Sequence, residues 1–395
     1  MKVAIFTETY LPDVNGVATH IKTLKDGLEA LGHEVLIVKA DSASRRNYIE
    51  KDVMHCPAIT AKKLYNYSIS SPVSLHRMML LKKWNPDIIH IQNEFGIGLS
   101  GVFIAKMLRK PLVYTLHTMY DDYLYYIAPR PFIPIAKNVS HHYWKTLARS
   151  ASAVTGASKK IEDFFRECGV RKPINIIPNA VELDMFNEDK IDFEKAREIR
   201  RKYSIADDMT VACFCGRLGR EKSVDVLLNF WSKKIREEDR FRLFVFGDGP
   251  ARDELAAQAR QLGIEQQIIF TGKIDHGDLP PFYAACNLYL TASVSENYSI
   301  SMLEAMASGL PVMHILDEKN ESQLQEGVNG FVFTDAQGMY DRLIWYKSLS
   351  AEEKKQLSDN VRLSVKNSGA QDLARYLVDI YHNIKKPGKN RTIVN

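Results

Sequence analysis

The stretch of sequence that decides the fold is residues 287–315, which read NLYLTASVSENYSISMLEAMASGLPVMHI. Its apolar run at Asn287–Thr291 predicts a β-strand, Ser299–Ser308 predicts a helix, and Pro311–Ile315 predicts a second strand. A strand–helix–strand unit of this kind forms a parallel sheet that is covered by its helix. Because ligands of such sheets bind beyond the carboxyl ends of the strands, the loop after the first of these strands is a candidate site.

The same alternation of strands and helices extends along the chain in both directions. In the second half we predict strands at Thr210–Cys215, Arg242–Phe246 and Gln267–Thr271, and helices at Val224–Ile235, Ala251–Leu262, Met339–Lys347, Ala351–Val365 and Ala370–Ile384. In the first half we predict a helix at Gly16–Leu31 and strands at Lys2–Thr7, Glu34–Lys39, Asp87–Ile91, Leu112–Leu116, Ala153–Gly156 and Ile174–Ile177. These elements predict an α/β protein with two doubly wound, Rossmann-like parallel sheets.

The length of 395 residues exceeds what one hydrophobic core usually supports, so we expect two domains. We place the first domain at residues 1–181 and the second at 182–369, with the acidic, polar stretch Glu182–Glu194 as the linker. We expect the segment 370–395 to be a helix that returns to the first domain. Two such domains would face each other across a ligand cleft.

The composition is that of an ordinary globular chain, with 45% hydrophobic and 26% charged residues. No apolar run approaches the roughly 20 residues that a membrane-spanning helix needs. The first residues lack the features of an export signal. The five cysteines form no Cys-x-x-Cys pair, which favours reduced thiols and a cytoplasmic location.

The net charge of +5 is unevenly distributed. Residues 53–86 and 123–161 contain no acid, and their lysines and arginines are interleaved with aromatic side chains. Cations beside amphipathic aromatics suit an anionic lipid surface, to which each cation contributes about 1 kcal/mol. The helix predicted at Ser74–Trp84 would lie in the lipid interface, and an equally good interpretation is a core helix whose basic face is solvated.

No nucleic-acid-binding module is recognisable, so we expect no nucleic acid partner. The residues that we expect to face the membrane are Arg77, Lys82, Lys83, Trp84, Lys137 and Lys145.

Several motifs that would identify other enzymes are missing from the sequence. No Gly-x-Gly-x-x-Gly follows the first strand, and there is no P-loop, Gly-x-Ser-x-Gly or His-Glu-x-x-His motif. There is also no Asp-x-Asp, the carboxylate pair that usually holds a metal-bound diphosphate. The protein would therefore have to neutralise a diphosphate with its own side chains, and we expect neither a metal nor a cofactor.

Two loops supply groups for that task. Arg217 and Lys222 lie in a glycine-containing loop directly after a predicted strand, where a guanidinium fork and a mobile ammonium can bind phosphate oxygens. The free N–H groups at the start of a predicted helix, near Tyr298, Ser299 and Ile300, form a second anion site. The alternative for the basic pair is that both side chains are simply solvated, as basic residues in loops usually are.

Two glutamates flank the start of that helix. Glu296 would repel a phosphate, so we expect it to accept hydrogen bonds from sugar hydroxyls beside the phosphate. Glu304 follows eight residues later, roughly 12 Å along a helix axis, and from there could accept both hydroxyls of a ribose. The alternative is that Glu296 caps the helix and Glu304 lies on the surface.

In combination, these motifs resemble the nucleotide-sugar half of the retaining glycosyltransferases of family 4, which have the GT-B fold. The first half resembles the opening of the same family, so the resemblance extends over nearly the whole chain. It implies transfer of a sugar from a nucleotide diphosphate, usually UDP, without a metal and with retention of the anomeric configuration. The segments that carry the resemblance are Pro12, Gly16, Gly32–Val35, the basic loop 216–222, Phe246–Pro250, Phe270–Gly272 and Glu296–Val312.

The resemblance also implies roles for individual residues. His117 would lie near the transferred sugar, Glu296 would contact it and Glu304 would hold the ribose. In this family the leaving phosphate is thought to take the acceptor's proton, so stabilising charge on the diphosphate is the main catalytic task. The implied catalytic residues are His117, Arg217, Lys222 and Glu296. The implied donor-binding residues are Gly16, Arg217, Lys222, Asn297, Tyr298, Ser299, Ile300 and Glu304.

The sequence departs from the family pattern at three places. Asn15 stands where a glycine pair usually begins, Ser223 replaces the glycine after the basic loop, and Asn297–Ser299 replaces Gly-Phe-Gly. Bulkier residues there could change how closely the donor approaches, so the identity of the donor sugar is the least secure inference.

The segment HTMYDDYLYYI, residues 117–127, resembles the branch of the family that glycosylates diacylglycerol and related membrane lipids. Within it, Tyr120, Asp121 and Asp122 are candidates for orienting the acceptor hydroxyl. We expect a hexosyltransferase that moves glucose from UDP-glucose to a diacylglycerol-type lipid, bound peripherally to the inner face of the cell membrane. The alternatives are a transferase acting on a saccharide or polysaccharide intermediate and a non-catalytic nucleotide-sugar-binding protein.

Overall fold

The computed structural model describes residues 1–13, 15–61, 67–119, 121, 129–317 and 323–385. The chain forms two compact units. The first comprises Met1–Ala180 and the chain from Ala370 onward, and the second comprises Val181–Gly369.

The first unit is built on a sheet whose strand order is β3-β4-β2-β1-β6-β7-β8-β9, with β5 added to β4. The pairs are parallel except where β3 and β5 join β4. The central strands are mostly apolar and buried along nearly their whole length because helices cover both faces of the sheet. The strands are β1 Lys2–Thr7, β2 Glu34–Asp41, β3 Tyr48–Glu50, β4 Val53–Ala61, β5 Tyr67–Ser70, β6 Ile88–Ile91, β7 Leu112–Leu116, β8 Ala153–Gly156 and β9 Ile174–Ile176.

The second unit has a wholly parallel sheet of order β12-β11-β10-β13-β14-β15. The strand order reverses between β10 and β13, as it reverses between β1 and β6 in the first unit. Such reversal points are where ligands of open α/β sheets bind. The strands are β10 Thr210–Cys215, β11 Phe241–Phe246, β12 Ile268–Gly272, β13 Leu288–Thr291, β14 Val312–Ile315 and β15 Gly330–Phe333.

Helices cover both faces of the first sheet. Alternate residues of β1 pack on opposite sides, so Ala4 and Phe6 meet α2 to α5 whereas Val3 and Ile5 meet α1 and α13. The helices of the described chain are α1 Gly16–Ala30, α2 Leu75–Trp84, α3 Gly96–Leu108, α4 Ile133–Ser150, α5 Lys159–Glu167, α6 Phe193–Lys202, α7 Val224–Lys234, α8 Arg252–Gln261, α9 Leu279–Ala284, α10 Ile300–Ala307, α11 Ala336–Ser348, α12 Ala351–Ser364 and α13 Ala370–Lys385.

The C-terminal helix α13 packs against α1 in the first unit. Leu373, Leu377 and Tyr381 join the core formed by α1. The two helices approach closely at Gly27, where an added Cβ would lie 2.0 Å from the carbonyl oxygen of Ala370. A glycine is therefore required at this crossing.

The stretch expected to be a linker is partly helical. Asp192 caps α6 by accepting a hydrogen bond from the N–H of Lys195, at 2.9 Å. Ala196 and Ile199 are buried, so a narrow apolar stripe on an otherwise charged helix is enough to anchor it in the second unit. The first two residues of this helix, Phe193 and Glu194, fall within the stretch that was predicted as the linker.

Candidate functional site

In the second unit, the ends of β10 and β13 bring the two predicted donor loops together. The hydroxyl of Ser295 donates to the carbonyl oxygen of Glu221, at 2.8 Å, and joins the loop after β13 to the loop after β10. Beside this contact, the ammonium of Lys222 donates to Oε1 of Glu296 at 2.6 Å. Both side chains are about one-fifth exposed, so they remain accessible to a ligand.

The loop that carries Arg217 is packed against a glycine-rich turn. Gly247 has a φ of +139°, and a Cβ on it would lie 1.9 Å from the carbonyl oxygen of Gly216. Only glycine allows the two backbones to approach so closely. At the other end of the loop, Ser223 has a φ of +51°, a left-handed conformation that explains why the family usually has glycine there.

Glu304 lies on α10 and is only 4% exposed. Its Oε1 lies 2.9 Å from Nε2 of His276, and its Oε2 accepts a hydrogen bond from the hydroxyl of Tyr283 at 3.1 Å. Burial raises the pKa of Tyr283 well above its usual value, so its hydroxyl keeps its proton and remains a donor. The alternative of a surface glutamate is therefore wrong, because the carboxylate is buried and held in one orientation.

The start of α10 differs from the expectation in two respects. The helix begins at Ile300, so Glu296 lies in the preceding loop and the estimate of roughly 12 Å along one helix axis does not apply. The N–H of Ser299 is also not free, since it donates to Oε1 of Gln323 at 2.7 Å. Ser299 instead caps the helix, accepting from the N–H of Met302 at 3.4 Å.

Asn297 and Tyr298 lie in the loop that leads into this cap, and Tyr298 packs against the core of the second unit. Gln323 was not predicted as a site residue, and it also donates from its Nε2 to the carbonyl oxygen of Ser299 at 2.6 Å. No local pattern marks Gln323, because its partner lies 24 residues away.

In the first unit, Gly16 lies at the start of a helix and His117 lies directly after a strand. Gly16 is the first residue of α1, which Asn15 caps by accepting from the N–H of Ala18 at 3.0 Å. His117 follows β7, and its Nε2 donates to Oε1 of Gln92 at 2.6 Å. Burial lowers the pKa of His117 well below its usual value, so the ring is neutral at pH 7.

Other polar residues, which were not predicted from the sequence, contact His117 or follow the strands at the reversal point of the sheet. The ring of His20 packs edge-on against that of His117, with centroids 4.7 Å apart. Glu8 follows β1 and accepts from the N–H of Ile97 at 2.7 Å, at the start of α3. Burial raises the pKa of Glu8 to about 7. Glu8 and Gln92 each directly follow a strand, and this position could have identified them as candidate site residues from the sequence.

Among the candidates for the acceptor site, only Asp121 is described, while Tyr120 and Asp122 lie outside the described residues. The carboxylate of Asp121 pairs with His141 Nε2 and with Lys137 Nζ, each at 2.9 Å. Lys137, expected at the membrane, is therefore engaged in this ion pair.

The prediction that Arg77 faces a membrane is wrong. Arg77 is 1% exposed, and its guanidinium donates to Ser100 Oγ at 2.7 Å, to Ser70 Oγ at 2.8 Å and to the carbonyl oxygen of Ser71 at 3.0 Å. These bonds replace hydration of the buried charge. They fix α2 to its neighbours.

The other membrane candidates on α2 and α4 are accessible to different degrees. Lys82 and Lys83 are exposed in the last turn of α2, whereas Trp84 and Lys145 are half-buried. Exposed apolar side chains also occur on the helices of this face, and most of them were not anticipated from the sequence. They are Leu75 and Met79 on α2, Phe103 and Met107 on α3, and Phe132, Ile135 and Val139 at and after the start of α4.

Comparison with known proteins identifies the family. The family model Glycosyltransferase Family 4 matches residues 14–185, and Glycosyl transferases group 1 matches residues 195–364. The α-monoglucosyldiacylglycerol synthase of Streptococcus pneumoniae is 32% identical over 313 residues, which cover 79% of this chain and 70% of that protein. The chain belongs to glycosyltransferase family 4.

Further comparisons extend over nearly the full length of this family 4 glycosyltransferase. It is 27% identical to the α-monoglucosyldiacylglycerol synthase of Acholeplasma laidlawii over 390 residues, 96% of each chain. The crystal structure of Anabaena HepE in complex with UDP-glucose superposes with a TM-score of 0.72 at 16% identity, covering 97% of this chain and 100% of that one. The structural likeness shows a GT-B glycosyltransferase fold.

The described part of this glycosyltransferase has neither a candidate membrane span nor a candidate metal site. None of its described helices is both long and apolar enough to cross a membrane. Within the same residues, no group of His, Cys, Asp and Glu side chains is arranged to hold a metal ion.

Proposed function

We propose that the protein transfers glucose from UDP-glucose to the hydroxyl of a diacylglycerol-type lipid, with retention of the anomeric configuration and without a metal. The observation that carries the donor half is the grouping of Lys222, Glu296 and the held Glu304 beyond the carboxyl ends of one sheet. The acceptor half is supported by the similarity of the chain, over most of its length, to two α-monoglucosyldiacylglycerol synthases.

The proposed chemistry uses charge and position rather than a protein nucleophile. Arg217 and Lys222 stabilise the negative charge that grows on the leaving diphosphate. The bond between C1 of the sugar and the diphosphate breaks as C1 bonds to the acceptor oxygen on the same face. The acceptor proton passes to the leaving phosphate oxygen, so atoms and charge balance without another reactant. Glu296 accepts from sugar hydroxyls and Glu304 from the ribose.

The proposed membrane surface is the outer side of α2, α3 and α4. These three helices pack on the same core cluster and therefore cover the same face of the first sheet. Their outer side carries exposed apolar side chains such as Leu75 and Phe103 beside the exposed cations Lys82, Lys83 and Lys106. Apolar groups that enter the lipid interface next to cations favour binding to an anionic leaflet. This surface supports a peripheral position on the inner face of the cell membrane.

The activity is tested with labelled UDP-glucose, UDP-galactose and GDP-mannose, offered with anionic vesicles that contain diacylglycerol. We expect labelled glucosyldiacylglycerol from UDP-glucose, with an α linkage by NMR and an unchanged rate in EDTA. If sugar is transferred only to soluble saccharides and not to the lipid, the acceptor is a saccharide and the proposed lipid acceptor is wrong. If neither transfer nor donor hydrolysis occurs with any acceptor extract, the result would favour a non-catalytic nucleotide-sugar-binding protein.

The membrane surface is tested by the double substitution Lys82→Gln and Lys83→Gln. Two cations near an anionic surface contribute about 2 kcal/mol, so we expect about thirtyfold weaker binding to anionic vesicles at low salt. The matched control replaces Lys233 and Lys234, another lysine pair in the last turn of a helix, and should leave binding unchanged. Equal binding by both double variants would contradict this surface.

A further inference from the structure

A chain of buried hydrogen bonds leads from His117 to the C-terminal helix. His117 Nε2 lies 2.6 Å from Gln92 Oε1, and Gln92 Nε2 lies 3.2 Å from His90 Nε2. His90 Nδ1 then lies 2.6 Å from the hydroxyl of Tyr381 on α13. Gln92, His90 and Tyr381 are 0% exposed, so water does not compete for these bonds.

A single set of tautomers makes every link of this chain a hydrogen bond. Gln92 Oε1 can only accept, so the ring hydrogen of His117 lies on Nε2. The amide nitrogen of Gln92 can only donate, so Nε2 of His90 accepts and its ring hydrogen lies on Nδ1. That hydrogen is donated to the oxygen of Tyr381. The hydroxyl of Thr115 lies 2.6 Å from the same Nε2 of His90 and can donate to it or accept from it, so the tautomer of His90 is the quantity to measure.

We propose that Tyr381 is a positioning residue that sets the tautomer and orientation of His117 through His90 and Gln92. The inference rests on the proposed function, in which His117 lies against the transferred sugar. It gives α13 a role besides packing on α1. The helix supplies the acceptor that keeps the hydrogen of His90 on Nδ1, and the amide of Gln92 is thereby held with its oxygen towards His117.

The first test needs no substrate. In the full chain labelled with ¹⁵N-histidine, the nitrogen shifts of His90 and His117 report which ring nitrogen carries hydrogen, with signals assigned from His90→Gln and His117→Gln variants. We expect Nδ1–H for His90 and Nε2–H for His117. The Tyr381→Phe variant removes one hydroxyl, and both rings should then show mixed tautomers. An Nδ1–H form of His117, or no change in Tyr381→Phe, would overturn the proposal.

The second test measures glucosyl transfer in a double-mutant cycle. Tyr381→Phe should lower kcat about tenfold while leaving the affinity for UDP unchanged, because the diphosphate is bound in the other unit. Gln92→Met breaks the chain, so adding Tyr381→Phe to it should lower kcat no further. Additive losses would show a merely structural effect and overturn the proposal. Tyr376→Phe, on the exposed side of the same helix, is the matched control.

The two tests separate failure of this inference from failure of the proposed function. If the nitrogen shifts behave as expected but no donor is turned over, the proposed function fails and the catalytic consequence of the chain of bonds fails with it. If transfer occurs but the shifts of His117 do not respond to Tyr381→Phe, only the positioning role is wrong.

Discussion

Acidification should destabilise the first unit, because it buries three neutral histidines. Burial lowers the pKa of His20 to about 4 and that of His90 to about 3, and it lowers the pKa of His117 well below its usual value. In the unfolded chain these rings titrate near about 6.5. Glu8 acts in the opposite direction, since burial raises its pKa to about 7.

The sign follows from the protons bound in each state. Between about pH 6.5 and 4.5, the three histidines together bind about three more protons in the unfolded chain than in the folded chain. Over the same range the folded chain keeps a proton on Glu8 that the unfolded chain releases. Unfolding thus takes up about two protons net, so the free energy of unfolding falls by about 2.7 kcal/mol per pH unit. The loss of about 5 kcal/mol over this range is comparable to the whole stability of many domains.

The measurement is urea unfolding of the full chain at about pH 7, 5.5 and 4.5, with hydrogen exchange to identify which unit opens. His20→Gln removes one of the three protons and should reduce the pH dependence by about 1.4 kcal/mol per unit. His76→Gln, an exposed histidine on α2, should leave it unchanged. A first unit whose stability is constant or rises on acidification over this range would refute the reasoning.

Three substitutions test other parts of the structure. Lys222→Ala should lower the rate of glucosyl transfer about 100-fold without lowering the urea midpoint, whereas Arg220→Ala in the same loop should retain activity; equal rates would remove Lys222 from the donor site. Ser223→Gly removes the free-energy cost of holding a residue with a Cβ in the left-handed conformation, so we expect the second unit to be about 1 kcal/mol more stable in urea unfolding. A lower urea midpoint would contradict this. Gly27→Ala places a Cβ against Ala370 and should cost about 1–3 kcal/mol, measured as faster hydrogen exchange in α13; unchanged exchange would contradict the tight crossing.

The buried parallel strands could be predicted from the sequence, because each is a short apolar run bounded by polar or turn residues. The structure confirms β1, β7, β8 and β10 with the expected bounds. The edge strand β15 of the second sheet was missed, and so were β3 to β5 in the first sheet. The latter three lie at one edge of that sheet, where β3 is exposed along its length and β4 contains Pro57, so the apolar signal is weak there.

The proximity of the two proposed donor loops was also predictable, since motifs in a parallel sheet lie together once their strands are neighbours. The environment of charged side chains was not. Arg77 belongs to a helix with basic neighbours, and only the tertiary structure reveals the serines that enclose it. The partner of His90 lies 291 residues further along the chain, so nothing local distinguishes this histidine from a strand residue.

The two glutamates of the proposed donor site differ in how they are prepared for a ligand. Glu304 is buried and already held by Tyr283 and His276, so its orientation costs nothing when a ribose arrives. Glu296 and Lys222 are paired and partly exposed, and such pairs contribute about 0–1 kcal/mol. In the proposed reaction a diphosphate can therefore take Lys222 at little cost, which releases Glu296 for the sugar hydroxyls. The same ion pair thus links binding of the diphosphate to recognition of the sugar.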